Sequence, residues 1–185
     1  MPTPPGQPVV DCTIELREVQ PRVWRRLLVP ASVRLDKLHR VFQAAMGWEN
    51  RHLHAFEIGG ERYGMQFDDY PEDELDERAF TVVTAIGASE CFTYDYDFGD
   101  SWVHEVTVHR VWRTAKGLKF GVCVDGANAC PPEDVGGSWG YENLLSVLAD
   151  PSHEEHQHLS ECVGGPFDAA EFDLALVNAR LQSVR

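Results

Sequence analysis

Apolar and polar residues alternate through Cys12-Thr13-Ile14-Glu15-Leu16-Arg17, the period-two pattern of a strand with one buried face, and Pro21 interrupts it. Val23, Arg25, Leu27 and Val29 alternate with Trp24, Arg26 and Leu28 in a second strand that stops at Pro30, whose missing N–H breaks a ladder. The period then changes. Leu35, Leu38, Phe42 and Ala45 recur at helical spacing, and Gly47 stands where a left-handed cap ends a helix. His52, His54, Phe56 and Ile58, the pair Gly59-Gly60 and Arg62-Tyr63-Gly64 predict a hairpin with a two-residue glycine turn. Asp68 to Glu77 is acidic, poor in core residues and reads as a loop; Phe80 to Ile86 fits either a strand or one to two helical turns.

The densest pattern follows. Tyr94, Tyr96 and Phe98 alternate with Asp95, Asp97 and Gly99; Gly99-Asp100 reads as a turn; Trp102, His104, Val106, Val108 and Arg110 share one face of a return strand. This hairpin is expected at the centre of a sheet, with Leu118, Phe120, Val122 and Val124 adding a strand. From Cys130 to Gly140 prolines and glycines predict a loop of special backbone angles. Tyr141, Leu144, Leu145 and Leu148 predict a helix ending at Asp150-Pro151. Ser152 with Glu155 reads as a capping box opening a helix toward Gly164-Gly165, and Asp173 caps a last helix carrying Leu174, Val177 and Leu181. These elements imply one α+β domain over residues 1–185, ordered from about residue 9 to 182, with an antiparallel sheet of about six strands and about four helices.

Length and composition agree: 185 residues with 43% hydrophobic content suffice for one full core. The formal charge of -14 repels nucleic acid and anionic membrane as a whole-molecule field. Yet eight basic residues (Arg17, Arg22, Arg25, Arg26, Arg34, Lys37, Arg40, Arg51) face three acidic ones (Glu18, Asp36, Glu49) between Arg17 and Arg51, a local +5. Within it Arg34, Lys37 and Arg40 are three apart and are the candidate nucleic-acid contacts, although the overall charge argues for weak binding or none. Five cysteines without framework spacing, no leader pattern and no apolar run near the roughly 18 residues a membrane span needs point to a cytoplasmic protein without membrane association.

Two metal-binding constellations deserve comparison. Cys123 and Cys130 bracket a turn, and His153 and His156 lie three apart on the expected helix; four such donors suit zinc, although six residues between the cysteines is loose for a structural site. Asp97, Asp100, Glu133 and Asp134, with His104, form a harder set suited to magnesium or manganese and to polarising a phosphoryl group. For that set to act, the central hairpin and the Cys130–Gly140 loop must meet. The competing readings are buried thiols, a solvated helix and carboxylates that merely cap the loop. Nucleophile-elbow and phosphate-loop motifs are absent, so no residue is assigned nucleophilic catalysis and no organic cofactor is expected.

Taken in order, Leu38-His39, Met46-Gly47-Trp48, His52-Leu53-His54-Ala55-Phe56, Tyr63-Gly64, Tyr96-Asp97-Phe98-Gly99-Asp100-Ser101-Trp102 with His104, Cys130-Pro131-Pro132-Glu133-Asp134-Val135-Gly136-Gly137, Asp150-Pro151 with His153 and His156, and Phe167-Asp168 with Phe172-Asp173 resemble the plasmid pRiA4b ORF-3-like family, from about Ile14 to Leu181. The resemblance implies one α+β domain on an antiparallel sheet, an association with plasmids or transposons, and no established activity. Some members carry a transposon-passenger or resolvase-like label. Recombinase chemistry does not transfer, because Ser32 is the only serine near the N-terminus and no basic helix-turn-helix domain accompanies it. The expectation is a non-catalytic binding or interaction module for an unknown protein or ligand; the alternative is a divalent-metal-dependent hydrolase of phosphoryl substrates.

Overall fold

The computed structural model describes residues 6–66, 74–114 and 117–184; the proline-rich lead at 1–5 and residues 68–73 of the expected acidic loop lie outside them. The strands are β1 (Gln7–Leu16), β2 (Trp24–Pro30), β3 (His54–Ile58), β4 (Glu61–Gly64), β5 (Leu75–Asp76), β6 (Cys91–Tyr96), β7 (Trp102–Thr114) and β8 (Val122–Ala127). The helices are α1 (Leu35–Met46), α2 (Val82–Ile86), α3 (Gly137–Leu148), α4 (His156–Cys162) and α5 (Leu174–Gln182). One eight-stranded sheet runs β5-β4-β3-β6-β7-β1-β2-β8. All pairings are antiparallel except β4 with β5, so the sheet is mixed and larger than the six strands expected.

The aromatic hairpin β6–β7 occupies the middle of that order, as its pattern implied. Phe92, Tyr94 and Tyr96 on β6 and Trp102, His104 and Val106 on β7 turn inward. Against this face α1 lays Leu35, Leu38, Val41, Phe42, Ala45 and Met46, with the Phe42 ring 5.2 Å from Tyr94 and 6.3 Å from Phe56. Burial of this apolar stripe is the main force holding the helix. Gly47 ends α1 at φ 97°, its N–H donating to the Gln43 carbonyl oxygen.

Three local expectations change. The ambiguous 80–86 stretch is helical because Thr81 and Thr84 exchange side-chain and backbone hydrogen bonds at the start of α2. Ser152 forms no capping box; its hydroxyl donates to the Asp150 carboxylate, and α4 begins only at His156. The acidic loop includes, at its described end, β5 and a 3-10 turn at Glu77–Ala79 whose first residue is buried. Asp173 caps α5 as expected, accepting from the N–H groups of Ala175 and Leu176.

Much of the basic segment is neutralised within the fold. Arg17 pairs with Glu105, Arg22 with Glu15, Arg34 with Asp36 and Arg51 with Glu49. Arg26, with Arg110 of β7, grips Asp11, which is 1% exposed at a register shift in β1. The hydrogen bond from Arg26 holds the Asp11 carboxyl below its ordinary range. Arg25 is buried and donates only to carbonyl oxygens, among them those of Ala45, Ala127 and Asn128.

Candidate metal centre and its cavity

The turn after β6 starts the site. Asp97 sits at φ 55°, a left-handed position that Asp tolerates because its short carboxylate bonds locally. Its Oδ1 accepts from the N–H of Gly99 at 3.0 Å, its carbonyl accepts from Ser101, and its own N–H donates to the Leu53 carbonyl at 2.9 Å. That last bond places Asp97 beside His52.

The loop after Cys130 arrives from the other side and is fastened to the end of α1. Trp48 Nε1 donates to the Pro131 carbonyl at 2.9 Å, and the Glu49 N–H donates to Glu133 Oε1 at 2.8 Å. The Tyr96 hydroxyl also donates to Glu133 Oε1, at 3.0 Å, while accepting from the Arg51 N–H. Burial pushes the Tyr96 phenol up to about 12, so it remains a donor at neutral pH. Asp100 Oδ2 accepts the Gly136 N–H at 3.0 Å, and a Cβ on Gly137 (φ 69°) would lie 2.6 Å from the Asp100 carbonyl oxygen. Only glycine allows this contact between hairpin and loop.

With the α1–β3 connection that carries His52, these two segments bring three donors together. His52 Nε2 lies 2.9 Å from Asp134 Oδ1, 3.5 Å from Asp97 Oδ2 and 3.9 Å from Glu133 Oε2. One donor atom each from His52, Asp97 and Asp134 lies within 4.8 Å of the others, and no other such trio occurs among the described residues. His52 Nε2 is itself inaccessible and misaligned for a hydrogen bond, despite its short approach to Asp134. Asp134 is also left-handed, at φ 57°. One imidazole and two carboxylates from three separate segments can hold a divalent cation with positions to spare for a ligand.

His52 also opens onto a cavity of about 630 Å³ lined by His39, His54, Glu77, Lys37, Arg40, Arg51 and Arg78. His39 and His54 lie at its base, both buried, as is Glu77, which accepts from His54 Nε2 at 2.7 Å. The Asn50 side-chain oxygen can only accept, so it faces the N–H form of His39 Nε2; Nδ1 then accepts from the Tyr94 hydroxyl at 2.7 Å. Gln43 closes the network by donating to the same hydroxyl.

The hard-donor constellation is therefore partly assembled. Asp97, Glu133 and Asp134 converge, and Asp100 serves instead as the clasp to Gly136. His104 is not at the site: it is fully buried, donates from Nδ1 to the Tyr94 carbonyl and packs edge-on against Trp48 at 5.2 Å. His52 takes the place expected of it. Alternation places His52 on a strand with His54, but β3 begins at His54, and the bend at His52 turns the two imidazoles toward different partners. Its signal was the His-x-His spacing at the start of β3.

The zinc set does not converge. Cys123 is buried on β8 and donates to the Asp125 carbonyl, Cys130 is half-buried, and desolvation raises both thiols, which disfavours the thiolates zinc needs. His153 precedes α4 rather than sharing a helical face with His156, and neither belongs to a trio of close donors among the described residues. Of the candidate nucleic-acid contacts, Arg34 lies before α1 and is forked onto Asp36, while Lys37 and Arg40 line the cavity.

No helix among the described residues is long and apolar enough to cross a membrane. In comparisons with known proteins, the chain is 37% identical over 173 residues to the uncharacterized protein y4hQ of Sinorhizobium fredii, covering 92% of this chain and 89% of that protein. The crystal structure of the protein of unknown function MM3350 from Methanosarcina mazei Go1 superposes with a TM-score of 0.84 at 32% identity, over 92% of this chain and 97% of that one. A family model described as plasmid pRiA4b ORF-3-like protein matches residues 8–176, and with that span the chain belongs to the plasmid pRiA4b ORF-3-like family.

Proposed function

We propose that this protein is a ligand-binding module built around a divalent cation held by His52, Asp97 and Asp134. The observation that carries the reading is the convergence of one imidazole nitrogen and two carboxylate oxygens within 4.8 Å from three separate chain segments. Like charges so close cost free energy unless a cation offsets them, and the inaccessible His52 Nε2 gains a partner when it ligates. The imidazole favours manganese or zinc over magnesium. Five unpaired cysteines support a reducing, cytoplasmic setting, and the family's plasmid designation supports an association with mobile elements.

The test is elemental analysis of purified protein together with melting curves taken with chelator and with added Mn²⁺ or Zn²⁺. The proposal expects a cation-dependent rise in melting temperature that is lost in His52→Ala and Asp97→Asn. A melting temperature indifferent to chelator and to every cation added would remove it.

The hydrolase reading is favoured by one further observation: the cavity reached by His52 also holds the His54–Glu77 pair, an imidazole oriented by a carboxylate. Turnover of p-nitrophenyl phosphate that disappears in both His52→Ala and Glu77→Gln would establish it; absence of turnover in the Mn²⁺-loaded protein would leave the binding module.

A further inference from the structure

The cavity beside His52 has a charge balance unlike that of the chain as a whole. Lys37 and Arg40 from α1, Arg51 from the α1–β3 connection and Arg78 from the 3-10 turn line it, against the carboxylates Asp36 and Glu77. Asp36 is held by Arg34 and approached by Lys37, Glu77 is held by His54, and Arg51 and Arg78 are paired in turn with Glu49 and Asp76. Lys37, Arg51 and Arg78 are part-exposed, and surface pairs of this kind are worth under about 1 kcal/mol, so an entering anion can replace them. Arg40 makes no ion pair or hydrogen bond among the described residues. Four cationic side chains against two carboxylates line this half-open cleft, a local balance that favours a compact anion in a protein of net charge -14.

We propose that this cavity binds the phosphoryl group of a small phosphorylated ligand, seated beside the cation site of His52, Asp97 and Asp134; the inference rests on that cation reading for the partner of the phosphate, though not for the cavity. At about 630 Å³ the space falls in the range of small-molecule sites, roughly 300–1,000 Å³, and suits a phosphomonoester better than a polymer. A long nucleic acid would meet the chain's overall negative field outside the cavity, whereas a small ligand meets chiefly the local field of the lining, in which basic side chains outnumber acidic ones. Phosphate is favoured over carboxylate by the number and spread of donors: cationic side chains from three segments can address separate oxygens of a doubly charged group. His52 and Arg51 belong to both places. His52 lines the cavity and faces Asp97 and Asp134, and Arg51 Nη1 lies 3.9 Å from Asp134. A phosphate oxygen in the cavity is thus directed toward the open positions of a cation ligated by few protein groups, the usual arrangement for metals that work on phosphates.

The deciding experiment is calorimetric titration of the full chain with inorganic phosphate and with phenyl phosphate, acetate serving as the monoanionic control, in Mn²⁺-loaded and chelator-treated protein. Saturable phosphate and phenyl phosphate binding, tighter than acetate and weakened roughly tenfold in Arg40→Ala, is the expected result. Arg40→Ala should melt with wild type and bind Mn²⁺ as wild type does; Arg78→Ala gives an independent reading of the same rim. Phosphate binding no tighter than that of acetate, or unchanged in both arginine variants, overturns the phosphoryl site. The two ideas fail separately. Mn²⁺ retention without phosphate binding removes this inference and keeps the cation centre, whereas phosphate binding by a protein that takes no cation keeps the cavity site and removes the centre.

Discussion

His39 and His54 lie face to face in the interior, ring centroids 3.5 Å apart and planes 3° from parallel. His39 reaches this position from α1 and His54 from the first residue of β3, so the stack ties helix to sheet beneath the cavity. Burial, with the neighbouring His54 second, lowers the His39 pKa to about 2, so the ring is neutral throughout the physiological range.

Acid should therefore destabilise the fold well above the carboxylate range. His104, also buried, is lowered by desolvation to about 4. Between about pH 6.5 and 4 the unfolded chain binds a proton at each of these histidines and the folded chain does not, so stability falls as pH falls. Each contributes about 1.4 kcal/mol per pH unit in that window, and below pH 4 the His104 share stops growing while that of His39 continues toward pH 2. Urea unfolding at a series of pH values should show His104→Phe with a slope shallower than wild type by about 1.4 kcal/mol per unit. Parallel slopes would show that His104 is protonated in the folded state.

The His54–Glu77 pair is buried on both sides, with side chains 3% and 5% exposed. Replacing Glu77 with Leu alone strands the imidazole and should cost about 3 kcal/mol in urea unfolding, whereas Glu77→Leu with His54→Leu should recover at least half of that. A double variant as unstable as the two single losses added together would mean the residues act independently.

Gly137 allows the hairpin to meet the 130–140 loop. A methyl group there meets the Asp100 carbonyl and must also hold φ at 69°, so Gly137→Ala should cost more than about 1 kcal/mol and move Asp134 away from His52. Reduced Mn²⁺ affinity in this variant, measured beside Gly164→Ala, where no atom lies within 4 Å of the added methyl group, checks the claim. Equal affinities in the two variants would disprove it.

Asn178 of α5 acts as a strand partner for β8. Its side-chain oxygen accepts the Cys123 N–H and its NH₂ donates to the Cys123 carbonyl, both at 2.9 Å. Asn178→Ala removes both bonds at the sheet edge and should cost about 2 kcal/mol, with faster hydrogen exchange at the Cys123 amide as the local readout. Unchanged exchange there would show that the helix contributes packing only.

Local pattern was sufficient for much of the architecture. Alternation through Tyr94, Tyr96, Trp102 and His104 marked an inward face because neighbouring side chains of a strand must point opposite ways, and Leu35 to Ala45 marked α1 because a helix buries one stripe. The ordered motifs identified the family across nearly the whole chain. The short elements escaped that reasoning: β5 has only two residues, and Ser152 chose Asp150 over a capping box, outcomes settled by competing contacts rather than by period. The site divides in the same way. Asp97, Glu133 and Asp134 were legible as carboxylates on two turns, which Asp100 with a glycine opposite it joins directly and Tyr96 ties again through Glu133. That His52 rather than His104 faces them was decided by tertiary structure, because a bend before β3 turns one imidazole outward while strand pairing carries the other under Trp48. Alternation records which residues share a face, but not which face of a different segment will meet them.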